Sequence, residues 1–239
     1  MCTLTYIPRA GFPENFILTD NRDEAVNRPA AFPKVYKELK TQLYYPKDNQ
    51  AGGTWFGISK QKRAMALMNG AFKRHLRERS YRKSRGVVVK ELLAAENLKE
   101  TIEHYDFKGI EAFYGVVFSW NSATEITEII WDGEKLHLQN KDPKQPHIWS
   151  SAMTFSPESH QQKKLVFDQF IKEHQQTEDL LDRIWDFHQS EESGMILEMG
   201  VLKTTSVSCF VQNRTTKDTF RFKDLITKEE QEDFINWKK

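Results

Sequence analysis

The alternation of strand-like and helical regions is the feature of this chain that most constrains its fold. Strand patterns occupy residues 2–7, 16–19, 55–58, 64–68, 114–120, 126–131, 135–138, 147–152, 201–211 and 219–222. Amphipathic helices are predicted over 84–95 and 98–105 and after residues 156 and 177. Two mostly antiparallel sheets with helices on their outer faces fit this order, which predicts an α+β fold, a four-layer αββα sandwich. No linker or repeat is visible, so residues 1–239 are predicted to form a single domain.

Several element ends carry specific signals. Ser156 precedes a proline and is predicted to cap a helix. Thr177 is predicted to cap the next helix in the same way. The dipeptide Asp132-Gly133 predicts a tight hairpin turn. The charged segment 228–239 has aromatic residues at helical spacing, which predicts a terminal helix.

Composition limits the class of protein. The 35 Lys and Arg residues oppose 34 Asp and Glu residues, so no global field directs the chain to nucleic acid or membrane. No apolar run approaches a membrane span, and no signal peptide is visible. The 2 cysteines and 7 histidines lack metal-ligand spacing, so we expect no metal and no cofactor. A cytoplasmic protein with a small-molecule substrate or ligand is the natural expectation, whereas the oligomeric state is not indicated.

Cys2, directly after the initiator Met1, is the main candidate for chemistry. If Met1 is removed, Cys2 carries both a thiol nucleophile and a free α-amine. The amine titrates at about 7.7–8.0, close enough to neutrality to accept the thiol proton. This is the logic of N-terminal nucleophile hydrolases. On position alone, the favoured interpretation is that Cys2 is merely a small residue beside the start codon.

Two further polar residues are candidates beside Cys2. Asp23, after a strand predicted to pair with the Cys2 strand, can bind the α-ammonium and tune its pKa, although a loop aspartate is the simpler interpretation. Asn69, at the end of another strand, can donate to an oxyanion, although Asn-Gly also suits a hairpin turn. A basic run over residues 73–85 can grip an anion, but such runs are more often solvated loops.

Together, several segments raise the hypothesis for Cys2. The chain resembles the NRDE-domain family, also called the transport-and-Golgi-organisation family, and the resemblance is specific over residues 1–70. The segments that carry it are Met1-Cys2, Asn21-Arg22-Asp23-Glu24, Arg28-Pro29 and Ala51-Gly52-Gly53-Thr54-Trp55-Phe56-Gly57. The resemblance implies the fold of N-terminal nucleophile hydrolases. The roles proposed for that family include secretory-pathway organisation, lipid metabolism and heme handling.

A more distant similarity to penicillin V acylases and bile salt hydrolases assigns roles to individual residues. It implies Cys2 as nucleophile, Asp23 as the carboxylate near the α-amine and Asn69 on the oxyanion side. Three positions depart from the acylase pattern. Those positions hold Asp20, Ser150 and Cys209 here, where the acylases carry Arg, Asn and Arg.

The sequence therefore supports two hypotheses. The first is an N-terminal-cysteine amidohydrolase acting on a non-peptide C–N bond, after removal of Met1. The second is a non-catalytic protein that handles a small molecule, heme or lipid, on the same scaffold. The candidate catalytic residues are Cys2, Asp23 and Asn69, and the candidate substrate-binding residues are Asn21, Arg22, Arg28, Trp55 and Ser150.

Overall fold

The computed structural model describes residues 2–12 and 14–237, with only the backbone of residue 14. The chain divides into two compact units. Of the described residues, the first unit comprises 2–12, 14–27, 144–150 and 155–236, and the second comprises 28–143, 151–154 and 237. The prediction of a single domain stays a prediction.

The first unit contains one antiparallel sheet. Its strands are β1 (Cys2–Pro8), β2 (Glu14–Ala25), β10 (His147–Ser150), β11 (Glu198–Met199), β12 (Leu202–Asn213), β13 (Thr219–Asp224) and β14 (Glu230–Phe234). They lie in the order β10-β1-β2-β12-β13-β14, with β11 paired to β12. Helices α3 (Pro157–His174) and α4 (Leu180–Phe187) belong to the same unit.

The second unit contains an antiparallel sheet whose strands follow chain order. These are β3 (Ala30–Glu38), β4 (Thr41–Asp48), β5 (Phe56–Ser59), β6 (Arg63–Asn69), β7 (Phe113–Ser119), β8 (Glu125–Trp131) and β9 (Leu136–Lys141). Helices α1 (Arg85–Ala94) and α2 (Leu98–His104) lie between β6 and β7 in the chain. The α+β class with two antiparallel sheets is thus confirmed.

Strand alternation positions the site of the first unit. One face of its sheet packs on α3 and α4 in an apolar cluster that includes Ile7, Ile17, Val207 and Cys209. Because successive side chains point to opposite faces, Cys2, Leu4, Asp20 and Arg22 lie on the other face, and Thr3, Thr5 and Asn21 lie on the helix side. Cys209 is buried in this cluster as a free thiol, as its alternating strand predicts.

Capping and turn chemistry explain several element ends. The Ser156 hydroxyl accepts from the Ser159 N–H at 3.2 Å and starts α3 as predicted. The hairpin at Asp132-Gly133 also forms, with a glycine φ of +105°. The prediction that Thr177 caps α4 is wrong, because that helix begins after Asp179 and the Thr177 hydroxyl instead donates to the His174 carbonyl.

Three further expectations differ from the structure. The predicted terminal helix over 228–239 contains strand β14 instead, whose residues alternate in exposure and pair with β13; residues 238 and 239 lie outside the described part. No hairpin follows Asn69, because its carbonyl accepts from the Ser151 hydroxyl at 2.8 Å and the chain continues into a long loop. Residues 30–48 form a strand pair that the sequence did not indicate. None of the described helices is long and apolar enough to cross a membrane.

Candidate active site around Cys2

Cys2 begins β1 directly opposite Arg22 of β2. Directly opposed residues share a face of the sheet, so the thiol and the Arg22 side chain lie on the same side. Asp20, opposite Leu4, lies on that side as well. Cys2, Asp20 and Arg22 are each at most 2% exposed. An anion and a cation therefore flank one buried thiol.

The chain that retains Met1 holds the Cys2 thiol in its protonated form. Burial raises its pKa well above 9.0, and the negative charge of Asp20 raises it further. The positive charge of Arg22 acts in the opposite direction. Because the Cys2 nitrogen is an amide while Met1 is attached, this residue then lacks its own base.

Asp23 lies one residue beyond Arg22 in β2, level with the amino side of Cys2. The Thr204 hydroxyl donates to its Oδ1 at 2.7 Å from the neighbouring strand β12. Burial raises the pKa of Asp23 to about 6, while the Thr204 hydrogen bond and the charge of Lys163 lower it. The negative charge of Asp23 also raises the pKa of Cys2. The carboxylate named by the sequence is therefore fixed within electrostatic reach of the thiol.

Lys163 is the residue of this site that sequence reasoning missed. It is 5% exposed on α3, and its ammonium donates to the Gly194 carbonyl and lies 4.4 Å from the ring centre of Phe155. Burial lowers its pKa to about 8, and Asp23 raises it. One sequence pattern could have indicated the burial of Lys163: it lies four residues before Phe167, on the apolar face of an amphipathic helix.

Arg22 is tied to the irregular part of β12. Its Nη1 donates to the Thr205 hydroxyl at 3.2 Å, and that hydroxyl is also placed 3.2 Å from the Arg22 carbonyl, to which it can donate. The β2–β12 register shifts between Thr204 and Ser206, which is the sign of a β-bulge. This irregularity brings two successive threonines to Arg22 and Asp23.

Asn21 lies on the opposite face from the thiol, in a buried network with His188. Its amide nitrogen donates to the carbonyls of His188 and Met195 at 2.9 and 3.1 Å. The His188 ring lies 2.5 Å from Asn21 Oδ1 and 2.8 Å from Thr5 Oγ1. Burial lowers the pKa of His188 to about 3. Asn21 therefore fastens the segment after α4 to β2, a role that its place in the sequence did not indicate.

Ser150 lies at the end of β10, opposite Thr3 of β1. Its hydroxyl is 2.7 Å from Nδ1 of His160, whose pKa is lowered by burial. His147, the first residue of β10, stacks on Tyr6 with ring centres 6.0 Å apart. The structure thus gives Ser150 a histidine partner that the sequence did not suggest.

The remaining predicted residues belong to the second unit. Arg28 pairs with Asp48 at 2.8 Å, and that carboxylate also accepts from the backbone of Gln50 and Ala51, which fixes the following turn. Trp55 is buried, with 7% of its surface exposed. The side-chain amide of Asn69 has no hydrogen-bond partner among the described residues.

The glycine-rich turn has a packing role in this unit. A Cβ atom on Gly53 would lie 2.4 Å from the carbonyl carbon of Gly86, and the Thr54 N–H donates to the Gly86 carbonyl at 3.2 Å. The turn and the start of α1 therefore touch backbone to backbone. The segment 51–57, which carries part of the family resemblance, thus packs directly on the start of α1.

A cavity of about 700 Å³ lies elsewhere in the second unit. None of the predicted site residues lines it. Its lining includes Arg63, Asn97, Ile102, Ser119, Thr127 and Asn140.

Solved structures of several hydrolases and an acylase share the fold of this chain. A variant of the conjugated bile acid hydrolase from Clostridium perfringens matches with a TM-score of 0.61 and 12% identity, over 99% of this chain and 93% of that chain. Penicillin V acylase from Agrobacterium tumefaciens matches with a TM-score of 0.62 and 10% identity, over 98% and 86%. The Caenorhabditis elegans orthologue of N-acylethanolamine-hydrolyzing acid amidase matches with a TM-score of 0.54 and 11% identity, over 88% and 92%.

The chain belongs to the Transport and Golgi organisation 2 family, whose model matches residues 1–225. The NRDE-domain family, which the sequence resembles, is the same family under another name. A comparison with curated proteins found no match.

Proposed function

We propose that this chain is an N-terminal-cysteine amidohydrolase that acts on a non-peptide C–N bond of a small molecule. The observation that supports the proposal most directly is the register of β1 and β2, which sets Arg22 opposite Cys2 and the buried carboxylate of Asp23 at the amino side of Cys2. The fold that the chain shares with the bile acid hydrolase and the acylase is consistent with this chemistry.

In the proposed reaction, removal of Met1 frees the α-amine of Cys2. The amine accepts the thiol proton, and the thiolate sulfur attacks the substrate carbonyl carbon. The tetrahedral intermediate collapses when the C–N bond breaks, and the leaving amine takes the proton from the α-ammonium. Water then hydrolyses the thioester and regenerates the thiol. Asp23 orients the α-ammonium by its negative charge.

The oxyanion requires donors and positive charge. The side-chain amide of Asn69, unbonded within the described chain, is proposed to donate to it. Arg22 is proposed to supply the cation, since its charge already lowers the pKa of the Cys2 thiol. Asn21, Arg28, Trp55 and Ser150 remain proposed substrate-binding residues. Of these, Asn21 would act indirectly, by holding the segment after α4 against β2. Arg28 would also act indirectly, through its ion pair with Asp48.

The test starts from the mass of the purified native chain. We expect it to lack the Met1 residue, and we expect iodoacetamide to label Cys2. A panel of N-acyl amides, assayed by the released amine, should be turned over by the native chain and by Cys209→Ser, whose thiol is buried in the core. Cys2→Ala should abolish turnover. Turnover that survives Cys2→Ala, or that occurs while Met1 is retained, contradicts the proposal.

A second function is favoured by one observation. The negative charge of Asp20 lies on the thiol face and raises the pKa of Cys2, which opposes the formation of a thiolate. The acylases carry Arg at the matching position. We therefore propose, as the alternative, a non-catalytic protein that handles heme or a lipid. Stoichiometric binding of either ligand by both the native chain and Cys2→Ala, without amide turnover, would support it.

A further inference from the structure

The loop between β6 and α1 differs in charge from the rest of the chain. Residues 71–84, here called the basic loop, contain six Lys and Arg residues and one Glu, a net charge of +5, whereas the whole chain carries +1. Strong local charge of one sign attracts a surface of the opposite sign, even when the net charge is small.

Ion pairs and hydrogen bonds hold part of the basic loop against other residues of the second unit, to which the loop itself belongs. The buried carboxylate of Glu111 pairs with Arg77 at 3.1 Å, with His75 at 3.4 Å and, just after the loop, with Arg85 at 3.2 Å. Further bonds join Arg74 to the Thr154 carbonyl, Arg82 to the Lys108 carbonyl and Lys83 to Glu91. These anchors give the loop a defined inner side.

The remaining large side chains are exposed. Leu76 is 96% exposed and Phe72 is 61% exposed, and Phe72 touches only the edge of the His137 ring among the aromatic contacts described. Lys73 and Arg79 are also exposed and have no partner among the described residues. Two exposed apolar side chains four residues apart thus share the loop with two exposed cations, Lys73 and Arg79, that no acidic group of the described chain neutralises.

We propose that the basic loop is a docking surface for an anionic phospholipid membrane. Apolar side chains that enter the headgroup region, combined with Lys and Arg that meet anionic lipids, produce this kind of peripheral binding. Leu76 favours a membrane over a nucleic acid as the anionic partner. Its almost fully exposed aliphatic side chain is stabilised when it is buried at the boundary between headgroups and acyl chains. Single-stranded nucleic acid, in contrast, is bound by cations and by stacking of bases on aromatic side chains. The proposal is independent of catalysis at Cys2.

The test is cosedimentation of the full chain with vesicles of phosphatidylcholine, with or without phosphatidylserine. We expect binding to the phosphatidylserine vesicles only, and weaker binding at higher salt. Leu76→Ser should weaken binding about tenfold, since burial of a leucine side chain is lost. Arg79→Glu should weaken it at least about fivefold, since one cation near the surface is removed and an anion is added.

Matched substitutions elsewhere serve as controls. Val201→Ser replaces an apolar side chain that is 74% exposed in the first unit, and Arg214→Glu reverses an exposed cation there. Both should bind vesicles as the native chain does, and Arg79→Lys should retain binding. The proposal is overturned if the native chain does not sediment with phosphatidylserine vesicles, if the control variants lose as much binding as Leu76→Ser and Arg79→Glu, or if single-stranded nucleic acid binds while vesicles do not.

Discussion

Cys2 and Arg22 are opposite each other across β1 and β2, and Asp20 lies two residues before Arg22 on the same face. The thiol thus experiences a cation and an anion with opposite effects on its pKa. Burial adds a third effect, which favours the neutral thiol and is the largest of the three. The reactivity of Cys2 therefore depends on a balance that single substitutions can shift in either direction.

The first prediction concerns this balance. Asp20→Asn should lower the pKa of the Cys2 thiol because a negative charge is removed, and Arg22→Met should raise it because a positive charge is removed. The measurement is the rate of iodoacetamide labelling against pH in the Met1-free chain, with Cys209→Ser as background. Asp186→Asn, an exposed aspartate of α4, is the control and should leave the profile unchanged. Equal shifts for Asp20→Asn and Asp186→Asn would contradict the assignment.

The second prediction concerns the buried ammonium of Lys163. Its pKa is about 8 in the folded chain, against 10.5 as the ordinary value, so the unfolded chain binds more protons between these values. Lys163 should therefore contribute an increase of about 3 kcal/mol to the free energy of unfolding between about pH 8 and 10.5. The buried thiols of Cys2 and Cys209, whose pKa values are raised, contribute a decrease above about pH 9, so the contribution of Lys163 is the difference between the native chain and Lys163→Met. Lys163→Met should lose the rise that Lys163 contributes.

Urea unfolding at a series of pH values checks the prediction for Lys163. The neighbouring Lys164 provides the control, because it is exposed on the same helix and pairs with Asp168 at the surface. Lys164→Met should retain the rise that Lys163→Met loses. Parallel curves for the native chain and Lys163→Met would show that Lys163 is not desolvated in the folded state.

The sequence anticipated much of the first unit because its signals are local. Alternation identified the strands of Cys2 and Cys209, and the serine cap of α3 is a short-range hydrogen bond. The Asp23 carboxylate was placed near Cys2 because hairpin pairing follows from a short connection. In contrast, β14 alternates in exposure but its aromatic spacing also fits a helix, so only pairing with β13 decides its conformation.

The partners of the site residues were not predictable, since they are distant in the chain. Thr204 and Lys163 meet Asp23 from β12 and α3, and His188 meets Asn21 from the segment after α4. A lone histidine or lysine in a sequence gives no sign of its tertiary partner. The apolar spacing around Lys163 was the one usable clue, because it indicated burial of a charged residue.

The third prediction concerns His188, which is buried with a pKa of about 3 against 6.5 as the ordinary value. As pH falls, His188 binds a proton in the unfolded chain before it does so in the folded chain. The free energy of unfolding should therefore fall as pH falls from 6.5 towards 3. His188→Gln should reduce that acid sensitivity, whereas His104→Gln, at an exposed site, should not. The measurement is the free energy of unfolding in urea from neutral to acid pH.

The raised pKa of Asp23 acts in the opposite direction over part of the same range. The folded chain holds that proton up to about pH 6, so this group lowers stability as pH rises from 3.8 to 6. The comparison of His188→Gln with the native chain isolates the histidine, because Asp23 is common to both. An unchanged acid profile in His188→Gln would contradict the neutral, buried imidazole.

The last prediction concerns the backbone contact between Gly53 and Gly86. A Cβ atom on Gly53 has no space, since it would lie 2.4 Å from Gly86, whereas a Cβ atom on Gly52 meets nothing within 4 Å. Gly52 has a φ of +68°, so Gly52→Ala should cost about 1 kcal/mol of backbone strain. Gly53→Ala must separate the turn from the start of α1 and should cost about 3 kcal/mol or more. Urea unfolding of the two adjacent variants tests the difference, and equal losses of stability would show that positive φ, not close approach, is what the glycine-rich turn requires.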